Sequence, residues 1–141
     1  MSFTNYKYGV GLRNVGSYQV SGHPYITGTA DMGSAGTEHK ISFPYVTKNI
    51  TVITSGTFGS TNENSIKIHF NSNSADGGVL DAGHFITLDS DEDSMSFDVK
   101  CKEVYLTNAT ANAGFQLYAS LTNIDATHMY ELTGSGLTDR T

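Results

Sequence analysis

The stretch Asp89-Ser90-Asp91-Glu92-Asp93 carries four carboxylates, and Asp89, Asp91 and Asp93 have the alternate spacing of the first ligands of a calcium loop. Calcium takes oxygen ligands, so residue type and spacing both suit it here. The rest of such a loop does not follow. Ser94 stands at the sixth position, where the sharp turn needs glycine, and Lys100 at the twelfth, where a bidentate glutamate belongs. The flanking patterns are those of strands, not helices. The stretch therefore reads as a solvated hairpin tip, with Asp89, Asp91 and Asp93 as the calcium candidate and no other metal site expected.

Other chemistry has less to build on. The histidines His23, His39, His69, His84 and His128 include no pair at a metal-binding spacing. Serine is abundant, but no Gly-x-Ser-x-Gly elbow occurs, and Gly134-Ser135-Gly136 lacks that spacing. Gly9-x-Gly11 is followed by Gly16, which matches neither the dinucleotide fingerprint nor the phosphate loop. Cys101, the single cysteine, excludes an internal disulfide and occupies an apolar position of a strand pattern. It reads as a small buried hydrophobe. An enzyme on a sandwich or cupin-like barrel would need clustered histidines and carboxylates, which this spacing does not supply. The expectation is no catalytic residue and no cofactor.

The elements that would hold these residues are strands. From residue 37 onward apolar and polar residues alternate with period two. Ile41 and Phe43 alternate up to Pro44; a second strand covers about 48–55; Ile66, Ile68 and Phe70 form a third; 84–89 a fourth. Met95, Phe97, Val99 and Cys101 alternate on odd positions, whereas Val104 and Leu106 are apolar on even ones. That change of parity places a bulge or tight turn near Lys102-Glu103. Phe115, Leu117, Ala119 and Leu121 alternate next, and a last short strand is expected over 128–132. No segment has a helical period. The fold expected is all-β, a single β-sandwich or jelly-roll body over 37–132. A loose tail is expected over 133–141.

Residues 1–36 differ. Seven of the 15 glycines lie there, together with Phe3, Tyr6, Tyr8, Tyr18 and Tyr25. Extended pieces at 10–12, 18–20 and 25–27 are too short to read as core strands, although they are long enough to complete the edges of a sandwich. The segment reads as an extended Gly/Tyr-rich arm that does not bury its own aromatics.

Charge narrows the partners. The net charge is −6, and Lys100 and Lys102 are the closest basic pair, so neither nucleic-acid phosphates nor an anionic membrane is an expected partner. No apolar run approaches membrane-spanning length. No apolar leader follows Met1, so the expectation is synthesis in a host cytoplasm. Tyr105 and Tyr118 fall on the polar parity of their strands. They read either as interface or sugar-stacking residues, or as a second buried face.

The run from His84 to Leu106, which contains Asp89-Ser90-Asp91-Glu92-Asp93 and Phe97-Asp98-Val99-Lys100-Cys101, the run Phe115-Gln116-Leu117-Tyr118-Ala119-Ser120-Leu121, and the opening from Val10 to Gly22 resemble a type of small structural protein of tailed bacteriophages, especially marine ones. The resemblance implies a virion protein, a head decoration or cement protein on the capsid surface. It implies the major capsid protein and further copies of itself, as a trimer or other homo-oligomer, as partners. The arm residues Phe3, Tyr6, Tyr8, Arg13, Tyr18 and Tyr25 are the expected capsid or oligomer contacts. The alternative is a carbohydrate- or receptor-binding module of a phage tail fibre or spike. The absence of tryptophan, the favoured sugar-stacking residue, weighs against it.

Overall fold

The computed structural model describes residues 9–56, 65–73, 79–81, 83–89, 93–133 and 139–140. Among them the elements are a single helical turn α1 (Gly16–Gln19) and the strands β1 (His23–Thr29), β2 (Glu38–Ser42), β3 (Tyr45–Gly56), β4 (Ile66–His69), β5 (Ile86–Leu88), β6 (Ser94–Phe97), β7 (Glu103–Asn108) and β8 (Ala113–Asp125). A 3-10 turn at Ala126–His128 and a two-residue ladder of β9 (Leu132–Thr133) with β10 (Asp139–Arg140) follow. The protein is all-β, as its alternation predicts.

Two four-stranded antiparallel sheets form the body, in the orders β1-β8-β3-β6 and β2-β7-β4-β5. The pairs β1·β8, β2·β7, β3·β6 and β4·β5 each join the strand at one end of the series to its counterpart at the other. The chain is thus one long hairpin rolled up on itself, and β3·β8 and β4·β7 stitch the roll into two layers. This is the jelly-roll arrangement. Between the layers lies a core of Ile50, Val52, Ile66, Ile68, Val104, Leu106, Phe115, Leu117, Ala119 and Leu121. A smaller cluster of Val46, Ile124 and Met129, with Leu12 and Tyr18 against it, closes one end.

Besides α1, whose helical turn takes Tyr18 and Gln19 of the piece expected to be extended at 18–20, three features differ from the sequence reading. First, residues 23–29, read as part of the arm, form the first strand of the roll and pair with β8 over their whole length. The boundary at residue 37 has no counterpart in the strand pairing. An edge strand has only one face to cover, and here that face carries His23, Tyr25, Thr27 and Thr29, so hydropathy does not mark it.

Second, the change of parity near Lys102 is a change of sheet. β6 ends at Phe97 in one layer and β7 begins at Glu103 in the other. The core faces of the two layers look toward each other, so a chain that crosses between them swaps the parity that points inward. Val99 and Cys101 enter the core from the crossing segment, not from a strand. Met95 sits at the open edge of its layer and is exposed.

Third, 128–132 holds the end of the 3-10 turn and the start of β9 instead of a strand of the body. Asp125 accepts from the Thr127 amide at 2.9 Å and from its hydroxyl at 2.8 Å, which breaks the extended run. The same bonds lower the Asp125 pKa, the backbone bond first.

Candidate functional site

Pairing of β4 with β7 sets His69 directly opposite Tyr105 on the outer face of the second sheet, and their rings stack at 5.8 Å and 12°. His69 is 1% exposed. Its Nδ1 lies 2.7 Å from the Asn71 carbonyl oxygen and its Nε2 2.8 Å from Thr107 Oγ1. The Tyr105 hydroxyl donates to Glu103 at 3.3 Å, and Lys40 binds the other Glu103 oxygen at 3.0 Å. The hydrogen bond to Glu103 raises the Lys40 pKa; burial, reinforced by Glu103, raises that of Tyr105.

The chain after β4 lies over this row. Ser72 Oγ and the Asn73 amide donate to the two oxygens of Glu38, at 2.8 and 2.9 Å, and Asn73 in turn accepts from the Leu80 amide at 2.9 Å. A shallow hollow of about 320 Å³ among Gly36, Glu38, Asn73, Leu80 and Thr107 is left beside it.

The scattered histidines of the sequence thus include one in a polar network. Strand pairing alone reveals it, because residues 69, 105 and 107 have no helpful spacing. Its chemistry is that of a lock. Both ring nitrogens of His69 are engaged, and no buried side-chain nitrogen or oxygen among the described residues lacks a partner. Tyr105, left open between interface and burial, is buried.

The outer face of the first sheet is different. Ile26 of β1 and Tyr118 of β8 are directly paired on it and are 77% and 43% exposed. Thr51 and Ser96 continue the same row, their hydroxyls 2.8 Å apart. Next to Ile26 and Tyr118, a depression of about 580 Å³ runs over Gly28, Gln116 and Ile53. Tyr118 is therefore available to a partner, whereas Tyr105 is not.

Of the expected arm contacts, Phe3, Tyr6 and Tyr8 lie outside the described residues. Tyr18 packs on Val46, Ile124 and Met129, and its hydroxyl donates to the Leu12 carbonyl at 2.8 Å; burial raises its pKa. Tyr25 meets Phe43 edge-on at 5.2 Å. These two rings fasten the segment to the body. Arg13 is exposed, flanked in sequence by Val10 and Val15, which are 52% and 67% exposed. Of the calcium candidate, Asp91 lies outside the described residues, Asp89 is exposed and Asp93 is half-buried. Among the described residues no group of three metal-ligating side chains is gathered.

Cys101 is buried, 3.4 Å from Thr47 Oγ1, and desolvation pushes its thiol up from 9.0 to about 11. Between those values an unfolded chain has lost the proton that the folded one keeps. Stability present below pH 9 is therefore expected to fall as pH rises toward 11, by roughly 2–3 kcal/mol from this group. The raised Tyr18 and Tyr105 act in the same sense at higher pH. Urea titrations across pH 8–11 check this: Cys101→Ala should flatten the alkaline limb, and an identical slope would refute it.

Comparison with protein-family models, with curated proteins and with solved structures finds no match for this chain.

Proposed function

We propose that the protein is a non-enzymatic virion structural protein, a head decoration or cement protein that docks on the outer capsid surface, associates with its own copies and bridges neighbouring capsid subunits. One observation carries this reading: residues 9–22 are fastened to the roll by Tyr18 and lead into β1, whose Tyr25 packs inward, yet the same stretch turns Val10, Val15 and Ile26 to solvent. A segment that spends its aromatics on attachment to its own body and its aliphatics on the exterior is organised for a protein partner. The jelly roll supports the reading by analogy, since capsid domains use it; lectins use it too. The test is co-sedimentation with shells of the major capsid protein of the encoding phage. The double variant Val10→Asp, Val15→Asp is expected to bind at least about tenfold more weakly, with an unchanged melting temperature. Full binding by that variant would sink the assigned contact.

Tyr118 favours a second reading, a carbohydrate- or receptor-binding module. It is exposed, beside a depression, and has polar neighbours in Gln116, Thr51 and Ser96. Saturable glycan binding abolished by Tyr118→Ala, without capsid binding, would replace the first reading with this one.

A further inference from the structure

Among the described residues, the order β1-β8-β3-β6 leaves β1 at the edge of its sheet. The hydrogen bonds fix which way its backbone points. The Thr54 amide donates to the Asp93 carbonyl at 2.8 Å, so the even residues of β3 next to it face β6. In an antiparallel sheet neighbouring residues point to opposite sides. Residues 51, 53 and 55 therefore face β8, their partners 118, 116 and 114 face β3, and 115, 117, 119 and 121 face β1. Those pair with Thr29, Thr27, Tyr25 and His23. The backbone groups of Pro24, Ile26 and Gly28 consequently point outward along the open edge. Proline agrees: its missing N–H lies on the side where no ladder bond is lost.

We infer that this edge pairs with β1 of a second copy, antiparallel about a two-fold axis through Ile26, so that the two sheets run on as one. The register is self-complementary. Ile26 exchanges both its bonds with Ile26 of the second copy, and each Gly28 amide donates to the opposite Pro24 carbonyl. Only the Gly28 carbonyls lack a donor, because proline faces them. The Ile26 side chains meet on the outer face, each flanked by its own Tyr118, and form one apolar row across the seam.

The other edges are guarded. β2 carries Glu38 and Lys40, β5 has 3 residues, and β6 has 4 between Asp93 and Asp98. β1 has 7 residues and no Asp, Glu, Lys or Arg, and its one guard is Pro24, near the end of the strand, which removes one bond per copy. A long, uncharged edge with an exposed isoleucine at its middle is the kind that natural sheets avoid unless it is used. This deepens the self-association in the proposed function and rests on that reading for its setting. It assigns a two-fold contact to this edge in place of the expected trimer.

Sedimentation velocity on the full chain tests it, with a species of twice 15.1 kDa expected. Ile26→Lys and Ile26→Glu, each alone, should weaken dimerisation at least about tenfold, by placing like charges opposite each other at the axis. Mixed together they should form a heterodimer. Ile26→Cys should be joined into a covalent dimer by a short bifunctional thiol reagent, because the paired Cβ atoms of a hydrogen-bonded pair lie slightly beyond direct disulfide reach; this keeps the test valid if a charged variant fails to fold. A monomer at all concentrations, a trimer, an Ile26→Lys dimer as tight as the parent, or no cross-link from Ile26→Cys would overturn the pairing. A dimer that ignores capsid shells sinks the cement reading and leaves this contact standing; a monomer that binds them does the reverse.

Discussion

Thr47→Val is expected to lower the free energy of unfolding by about 2–4 kcal/mol although it changes neither side-chain shape nor volume appreciably. Thr47 is fully buried in β3, where the ladder shifts register on either side of it. Its hydroxyl donates to the Val99 carbonyl at 2.8 Å and accepts from the Cys101 amide at 3.1 Å, while its own amide donates to the Cys101 carbonyl at 3.0 Å. Those partners belong to the segment that leaves one sheet for the other, where no strand is available to satisfy them. Valine would leave the buried Cys101 amide and the half-buried Val99 carbonyl unpaired, and their cost outweighs the modest gain from a more apolar side chain. Thr47→Ser keeps the hydroxyl and loses one methyl, so it should cost about 1 kcal/mol. Chemical denaturation of the three proteins measures this; a Thr47→Val protein within about 0.5 kcal/mol of the parent would show that the crossing is not held by this side chain.

The same crossing shows why part of the fold could be read from the chain and part could not. The alternation of Phe115, Leu117, Ala119 and Leu121 identifies β8 because both neighbours of that strand are strands and its inner face is fully covered. Met95 to Cys101 alternates as cleanly, yet it is a four-residue strand followed by a crossing, because the core asks only that side chains arrive from the right direction and not that the backbone be paired. Conversely, β1 is the first strand of the roll but has no apolar alternation, since an edge strand half-covers one face and here leaves its only isoleucine outside. Of the candidate residues, the burial of Cys101 was legible, because a small cysteine on the apolar parity of its run belongs in the core. The pairing of His69 with Tyr105 and Thr107 was not, because it depends on the register of β4 against β7, which turn geometry and burial fix and spacing does not.

Gly114→Ala is expected to destabilise the protein by about 2–3 kcal/mol, against the usual sign for this substitution in a backbone conformation open to any residue. Gly114 is buried near the start of β8, and its φ is not positive, so alanine would meet no conformational penalty and would reduce the entropy of the unfolded chain. By that term alone it would stabilise by about 0.4–1 kcal/mol. The obstacle is space. A Cβ there would stand 2.6 Å from the Ala30 carbonyl oxygen, 2.7 Å from that of Thr29 and 2.9 Å from the Ala30 carbonyl carbon. All three are backbone atoms, which cannot swing aside as the tip of a flexible side chain would. Relief requires the end of β1 to lift from β8, and that movement loosens Thr29 against Phe115, the last pair of the ladder. The variant should therefore show a lower melting temperature together with faster amide exchange in β1 than in the β3·β8 centre of the sheet. Because β1 also supplies the edge assigned to a second copy, its dimer should weaken in parallel, whereas Ile26→Lys should weaken the dimer with the melting temperature of the monomer intact. If Gly114→Ala stabilised the protein, the close approach of the Thr29-Ala30 backbone would not be a constraint on the fold, and the attachment of β1 to the roll would rest on the rest of its ladder with β8 and on Tyr25 against Phe43.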